Sequence, residues 1–147
     1  MNSEEFQLRI HEIFACSRGK KFMNGMGEGT KGAIPTIIEL HKAEFQGVEL
    51  TAGDLSERFN VSTARIAVLL NTLEDKGFIQ RYKSDKDGRK TFIRLTDQGR
   101  EKAEGFKTYW DNILNKILAD LPDEDLEAFF RVLSKMAMNM EGEKGSV

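Results

Sequence analysis

The chain has one cysteine, Cys16, two prolines and two histidines among its 147 residues. None of its apolar runs approaches the roughly 18 residues that a membrane-spanning helix needs. A single thiol excludes an internal disulfide and fits a reducing compartment. His11 and His41 do not stand at a metal-ligand spacing, and no cysteine or carboxylate set completes a site, so no metal is expected. Signatures of catalysis are missing too. No phosphate-cradling glycine motif precedes a helix, the glycines at 25, 27 and 29 follow no predicted strand, and no nucleophile sits beside a base, so neither an enzyme nor a bound cofactor is expected. The opening Met-Asn-Ser-Glu-Glu has no basic, apolar leader, and the expectation is a cytoplasmic protein.

What is present is ordinary in amount and uneven in placement. With 39% hydrophobic and 31% charged residues the chain should fold rather than stay disordered, and its length suits a single domain over 1–147. The net charge of −2 hides a segregation: −1 for residues 1–50, +3 for 51–100 and −4 for 101–147. Within the basic part, residues 78–94 set Arg81, Lys83, Lys86, Arg89, Lys90 and Arg94 against only Asp85 and Asp87. That is a local phosphate-seeking surface in a protein whose total charge argues against indiscriminate nucleic-acid binding.

Apolar spacing predicts a mostly helical fold with one small β-hairpin. Phe6, Ile10, Ile13 and Phe14 mark a helix from about 3 to 19 behind a cap at Ser3. After a glycine-rich stretch over 24–32, Ile34, Ile37, Ile38 and His41 form the stripe of a second helix, with Pro35 suited to its first turn. Thr51 and Asp54 resemble a capping arrangement for a short third helix carrying Leu55 and Phe59, which Asn60 ends. Ser62 caps a fourth helix with Ile66, Leu69, Leu70 and Leu73 on one face, ended by Gly77. Residues 78–84 and 91–95 are β-prone runs around a charged tip. Thr96 and Asp97 open a long helix with Ala103, Phe106, Trp110, Ile113, Ile117 and Leu121 along one side. Pro122 breaks it, and Asp123, Glu124 and Asp125 suit the first turn of a last helix whose stripe is Leu126, Phe129, Phe130, Leu133, Met136, Ala137 and Met140.

The order helix, turn, helix, hairpin over 51–95 is the informative part. Burying one side of the fourth helix leaves Thr63, Ala64, Ala67, Val68 and Asn71 facing outward, with Ser62 and Arg65 at its start. A helix with so slim a face fits a major groove about 12 Å wide, where hydroxyls and amides read base edges and methyls pack on thymine. At the hairpin, Lys83, Arg89 and Lys90 form a basic wing. Arg89 can reach a narrow minor groove while Asp87 steadies its guanidinium fork, and Gly88 permits a tight turn at the tip. A solvated surface helix and a solvated charged turn are the plain alternatives for each feature taken alone.

Three stretches then resemble one family: Leu73-Glu74-Asp75-Lys76-Gly77-Phe78-Ile79-Gln80-Arg81, Asp87-Gly88-Arg89-Lys90, and Leu95-Thr96-Asp97-Gln98-Gly99 look like MarR-type regulators. The resemblance implies a winged helix-turn-helix subdomain over 34–95, flanked by a helical dimerisation region from 1–20 and 97–142. It implies a homodimer that places one winged unit on each half of a pseudo-palindromic operator in double-stranded DNA, as a repressor relieved by a small, often aromatic or phenolic, effector. It also implies that the fourth helix is the recognition helix and that Asp87 and Arg89 match the family's wing aspartate and arginine. Apolar residues such as Trp110, Phe129, Phe130, Met136 and Met140 exceed what one thin winged unit can cover, in keeping with a dimer. For sensing, His41 could donate in an effector pocket, although a lone histidine on an apolar stripe is more often structural. Cys16 stands near the place of the reactive cysteine in the family's peroxide-sensing branch, with an inert buried thiol as the plainer reading. The competing function is a winged-helix module that binds a protein rather than a DNA sequence.

Overall fold

A computed structural model describes residues 1–15 and 32–139 of the chain. These form α1 (Ser3–Ala15), α2 (Ala33–Phe45), β1 (Leu50–Thr51), α3 (Ala52–Phe59), α4 (Thr63–Asp75), β2 (Ile79–Lys83), β3 (Thr91–Leu95), α5 (Asp97–Ala119) and α6 (Asp123–Asn139). The fold is mostly helical with one small antiparallel sheet, as the apolar spacing requires. None of the described helices is long and apolar enough to cross a membrane. The chain divides into two compact units, Glu28–Phe106 and a unit drawn from both ends, Met1–Gly27 with Lys107–Val147.

The middle unit is built around Ile37, Leu40, Leu55, Ile66, Leu70, Leu73, Ile79, Ile93, Leu95 and Ala103, all buried. The first turns of α5 thus contribute to this core through Ala103. Thr51 accepts the backbone N–H of Asp54 while Asp54 accepts that of Thr51, a reciprocal capping box that starts α3. Asn60 ends α3 in the left-handed region at φ 50° and ψ 51°, a geometry asparagine tolerates because its short side chain bonds locally. Ser62 caps α4 by accepting the Arg65 N–H at 3.2 Å, and Gly77, at φ 78°, turns the chain out of it.

Two details of this unit depart from the sequence reading. The buried side of α2 is Thr36, Ile37, Leu40 and Ala43, whereas Ile38 is 37% exposed. Both sides of α2 carry apolar residues, and packing against β3 selects the line through Leu40. The sheet also has a third strand. Leu50 pairs with Ile93 and Thr51 with Phe92, giving the order β1-β3-β2. A two-residue strand shows no alternation from which it could be read.

In the other unit α1 packs on α6. Phe6 meets Phe129 and Phe130 at ring-centroid distances of 6.0 and 5.3 Å, and Arg9 lies 3.9 Å from the Phe130 centroid while its Nη1 pairs with Glu127 at 2.6 Å. Helix α1 is capped by Asn2, not Ser3: Asn2 Oδ1 accepts the Glu5 N–H and Glu5 Oε2 accepts the Asn2 N–H. Ser3 is released from capping to pin the helix to α5. Its N–H donates to Asn115 Oδ1 at 2.7 Å, and its hydroxyl donates to Asp111 Oδ1 at 2.6 Å. Gln7 and Lys107 also donate to Asp111. The lysine first, then the serine and glutamine, hold the Asp111 carboxyl below its usual range. Trp110 and Ile117 on α5, Leu121 in the connection, and Phe129, Val132, Met136 and Met138 on α6 stay exposed. Cys16 and Met140 lie outside the described residues.

Candidate nucleic-acid interface

Helix α4 is two-sided. Ile66, Leu70 and Leu73 are fully buried, while Ser62, Thr63, Ala64, Arg65, Ala67, Val68 and Asn71 are all exposed. Val68, 67% exposed, is an aliphatic side chain left in water on a helix whose other face forms core. The exposed stripe continues through Ala64, Ala67 and Asn71, and methyl groups on such a face would suit a contact with thymine.

The wing is organised by hydrogen bonds that the sequence reading did not foresee. Ser84 N–H donates to the Lys90 carbonyl at 3.0 Å and closes the loop. The Ser84 hydroxyl accepts the N–H groups of Lys86 and Asp87, both at 3.2 Å. Asp87 Oδ1 accepts the backbone N–H of Arg89 at 3.1 Å, so Asp87 shapes the tip through the main chain and not through the guanidinium fork. Such a turn places Arg89 without tying up its side chain. Gly88 has no positive φ, and the turn does not depend on it for that freedom.

The six cations of the hairpin divide into two groups. Arg81 pairs with Glu74 on α4 at 2.6 Å, and Arg94 pairs with Glu49 at 3.1 Å. Lys83, Lys86, Arg89 and Lys90 are exposed; among the described residues none of the four forms a close ion pair, and Lys86 alone feels a carboxylate, through a longer-range charge interaction with Glu49. The free positive charge is thus concentrated toward the wing tip, where a phosphate or a narrow groove would meet it. At the sheet's other face Arg94 lies 3.6 Å from the Tyr82 ring centroid, and Tyr82 donates its hydroxyl to Glu49. The tyrosine hydroxyl first, then Arg94, lower the Glu49 carboxyl from its usual range. Burial, then Glu49, raises Tyr82.

Glu74, Ser84, Glu49 and Tyr82 were not singled out from sequence as functional residues, and Arg81 and Arg94, counted there in the phosphate-seeking surface, are instead engaged by Glu74 and Glu49. The signal available for Arg81 was its alternation: Arg81 pairs with Ile93 across the ladder, and so shares the face that packs on α4. His41 stands apart from α4 and the wing, on α2. Its ring meets Phe45 edge-on at 5.0 Å, and its Nε2 is 3.7 Å from Glu104. Among the described residues no group of histidine, cysteine and carboxylate side chains could hold a metal ion.

Residues 44–91 match the family model of the MarR family. The uncharacterized HTH-type transcriptional regulator YdgJ of Bacillus subtilis is 31% identical over 113 residues, covering 77% of this chain and 69% of that one. The chain belongs to the MarR family of transcriptional regulators. Solved MarR-like structures have the same fold. FabT of Streptococcus pneumoniae in complex with DNA aligns with a TM-score of 0.65 at 23% identity, covering 97% of this chain and all of that one. The S. aureus MepR–DNA complex aligns with a TM-score of 0.58 at 25% identity, covering 94% and 96%.

Membership gives the linking motifs a physical meaning in this MarR chain. Thr96 donates its hydroxyl to the Gly77 carbonyl and accepts the Gly99 N–H at 3.1 Å, while its own N–H donates to the Phe78 carbonyl at 3.0 Å. A Cβ on Gly99 would lie 2.1 Å from the Phe78 carbonyl oxygen. The Gly77-Phe78 and Leu95-Thr96-x-x-Gly99 segments are therefore two halves of one joint between the end of α4 and the start of α5.

Proposed function

We propose that this MarR-family regulator is a cytoplasmic repressor that binds a pseudo-palindromic operator as a homodimer. One recognition helix enters the major groove of each half-site. Ser62, Thr63, Ala64, Arg65, Ala67, Val68 and Asn71 face the bases and adjacent phosphates, and Lys83, Arg89 and Lys90 engage the backbone or minor groove, with Asp87 shaping the turn. The observation that carries this reading is the pairing of a slim, exposed α4 face with wing-tip cations Lys83, Arg89 and Lys90 that have no carboxylate partner among the described residues. The DNA held by FabT and by MepR in their solved complexes supports it. Its relatives are transcriptional regulators and not enzymes by name, and no catalytic role is assigned. Salt dependence tests the reading. Fragments selected from the source genome should bind with affinity that falls steeply and log-linearly as salt rises. Binding that salt leaves unchanged would instead favour an apolar protein partner.

Derepression is assigned to a small aromatic effector. In the terminal unit a cavity of about 440 Å³ is lined by Phe6, Ile10, Phe14, Trp110 and Leu114, with Gln7 and His11 as its polar groups. Its size and aromatic walls suit such a molecule. Trp110 is the chain's single tryptophan, so titration with phenolic acids should quench intrinsic fluorescence and release DNA over the same concentration range. Quenching without release would leave the cavity outside regulation.

A further inference from the structure

The loop that joins β2 to β3 holds a definite shape with little burial behind it. Asp85 to Lys90 are all exposed, so apolar burial does not fix the tip. Among the described residues two side chains bond its backbone. Asp87 Oδ1 accepts the Arg89 N–H at 3.1 Å, and the Ser84 hydroxyl accepts the N–H groups of Lys86 and Asp87 at 3.2 Å each. The main chain closes the loop: the Lys90 N–H donates to the Asp87 carbonyl at 2.9 Å, and the Ser84 N–H to the Lys90 carbonyl at 3.0 Å. Ser84 stands at the base of this chain of bonds. It ties down Asp87, and Asp87 in turn fixes the backbone of Arg89 and Lys90, two of the wing-tip cations. Without the hydroxyl, the Lys86 and Asp87 N–H groups can bond water at little net cost to the fold, but the first half of the loop loses its anchor.

We propose that Ser84 is a positioning residue for DNA binding: its hydroxyl presets the wing in the shape in which Arg89 and Lys90 meet the duplex. Order missing from the free protein must be restored on binding, and apparent affinity falls with the fraction of molecules already in the competent shape. Ser84 supplies no charge, so the number of phosphates neutralised is the same with or without its hydroxyl. This inference rests on the proposal that the wing engages DNA.

The full chain, Ser84→Ala and Ser84→Thr test it on the duplex that the wild type selects most strongly from a randomised pool. Ser84→Ala should bind about tenfold more weakly, as a competent fraction of about one in ten requires. Its affinity should keep the wild-type slope against salt on logarithmic axes, and its unfolding midpoint should be unchanged. Free of DNA, it should show lower proton–nitrogen heteronuclear NOE values at Lys86, Asp87 and Arg89, the mark of a tip moving faster than nanoseconds. Ser84→Thr keeps the acceptor and should restore both affinity and NOE values. Wild-type affinity in Ser84→Ala overturns the proposal. Weaker binding with an unchanged tip overturns it as well, since the hydroxyl would then touch DNA itself. A shallower salt slope would show phosphate contacts abandoned rather than re-formed, and a loss that tracks a lowered unfolding midpoint would make Ser84 merely structural; either result overturns the positioning role. Failure of the wing reading is told apart by its own variant, because there Arg89→Ala would bind as tightly as wild type.

Discussion

Arg89 and Gly99 act in opposite ways at the scale of single residues. Arg89 is exposed, its backbone fixed by Asp87 and its side chain without a carboxylate partner among the described residues, so its replacement should leave folding alone and affect binding. Arg89→Ala is expected to weaken operator binding by about 1–3 kcal/mol, measured by fluorescence anisotropy at fixed salt with unchanged thermal unfolding. Unchanged affinity would remove the wing from recognition. Gly99 contacts no DNA in this scheme but admits the Phe78 carbonyl into space that any side chain would fill. Gly99→Ala should therefore destabilise the fold by roughly 1–3 kcal/mol, as overpacking does, seen as a lowered unfolding midpoint. A midpoint at or above wild type would show that the joint can relax at no cost.

At the scale of elements, caps and turns were readable because each uses local chemistry: Thr51 with Asp54, Asn60, Ser62 and Gly77 all act within a few residues of themselves. Strand β1 and the inward side of α2 were not readable, since both are decided by partners more than forty residues away, at Ile93 and its neighbours. Ser3 shows the same limit. Its residue type suits a cap, yet Asn2 caps and Ser3 binds Asp111 and Asn115, over a hundred residues on. Nor could Asp87 be assigned correctly from type alone, because a carboxylate two residues from an arginine can bond either its side chain or its backbone. The Asp111 pin gives a pH prediction. Its carboxyl is held below the ordinary value of 3.8, so the stabilisation is complete above that value and is lost as pH falls through the lower, folded-state one. Asp111→Asn should be less stable than wild type near neutrality, and the gap should narrow on acidification. A gap independent of pH would show that the pin stabilises without its charge.

For the whole molecule, the proposed dimer follows from area that a single chain leaves in water. Val132 is 57% and Met138 63% exposed, on the same helix as the half-exposed Phe129 and Met136. A second copy covering this apolar surface would bury it and give the two recognition helices a fixed spacing, about one turn of DNA. Val132→Glu should weaken self-association by at least about tenfold through an unpaired buried charge, read by sedimentation velocity, with operator affinity falling in step. Monomeric wild-type protein at micromolar concentration would sink the dimer. The joint at Thr96 adds a mechanical consequence. Because the start of α5 is bolted to Gly77 and Phe78, the turn by which the chain leaves α4, with Gly99 as a bearing that leaves no slack, a small roll of that turn should swing α4 with it, as a crank turns its shaft.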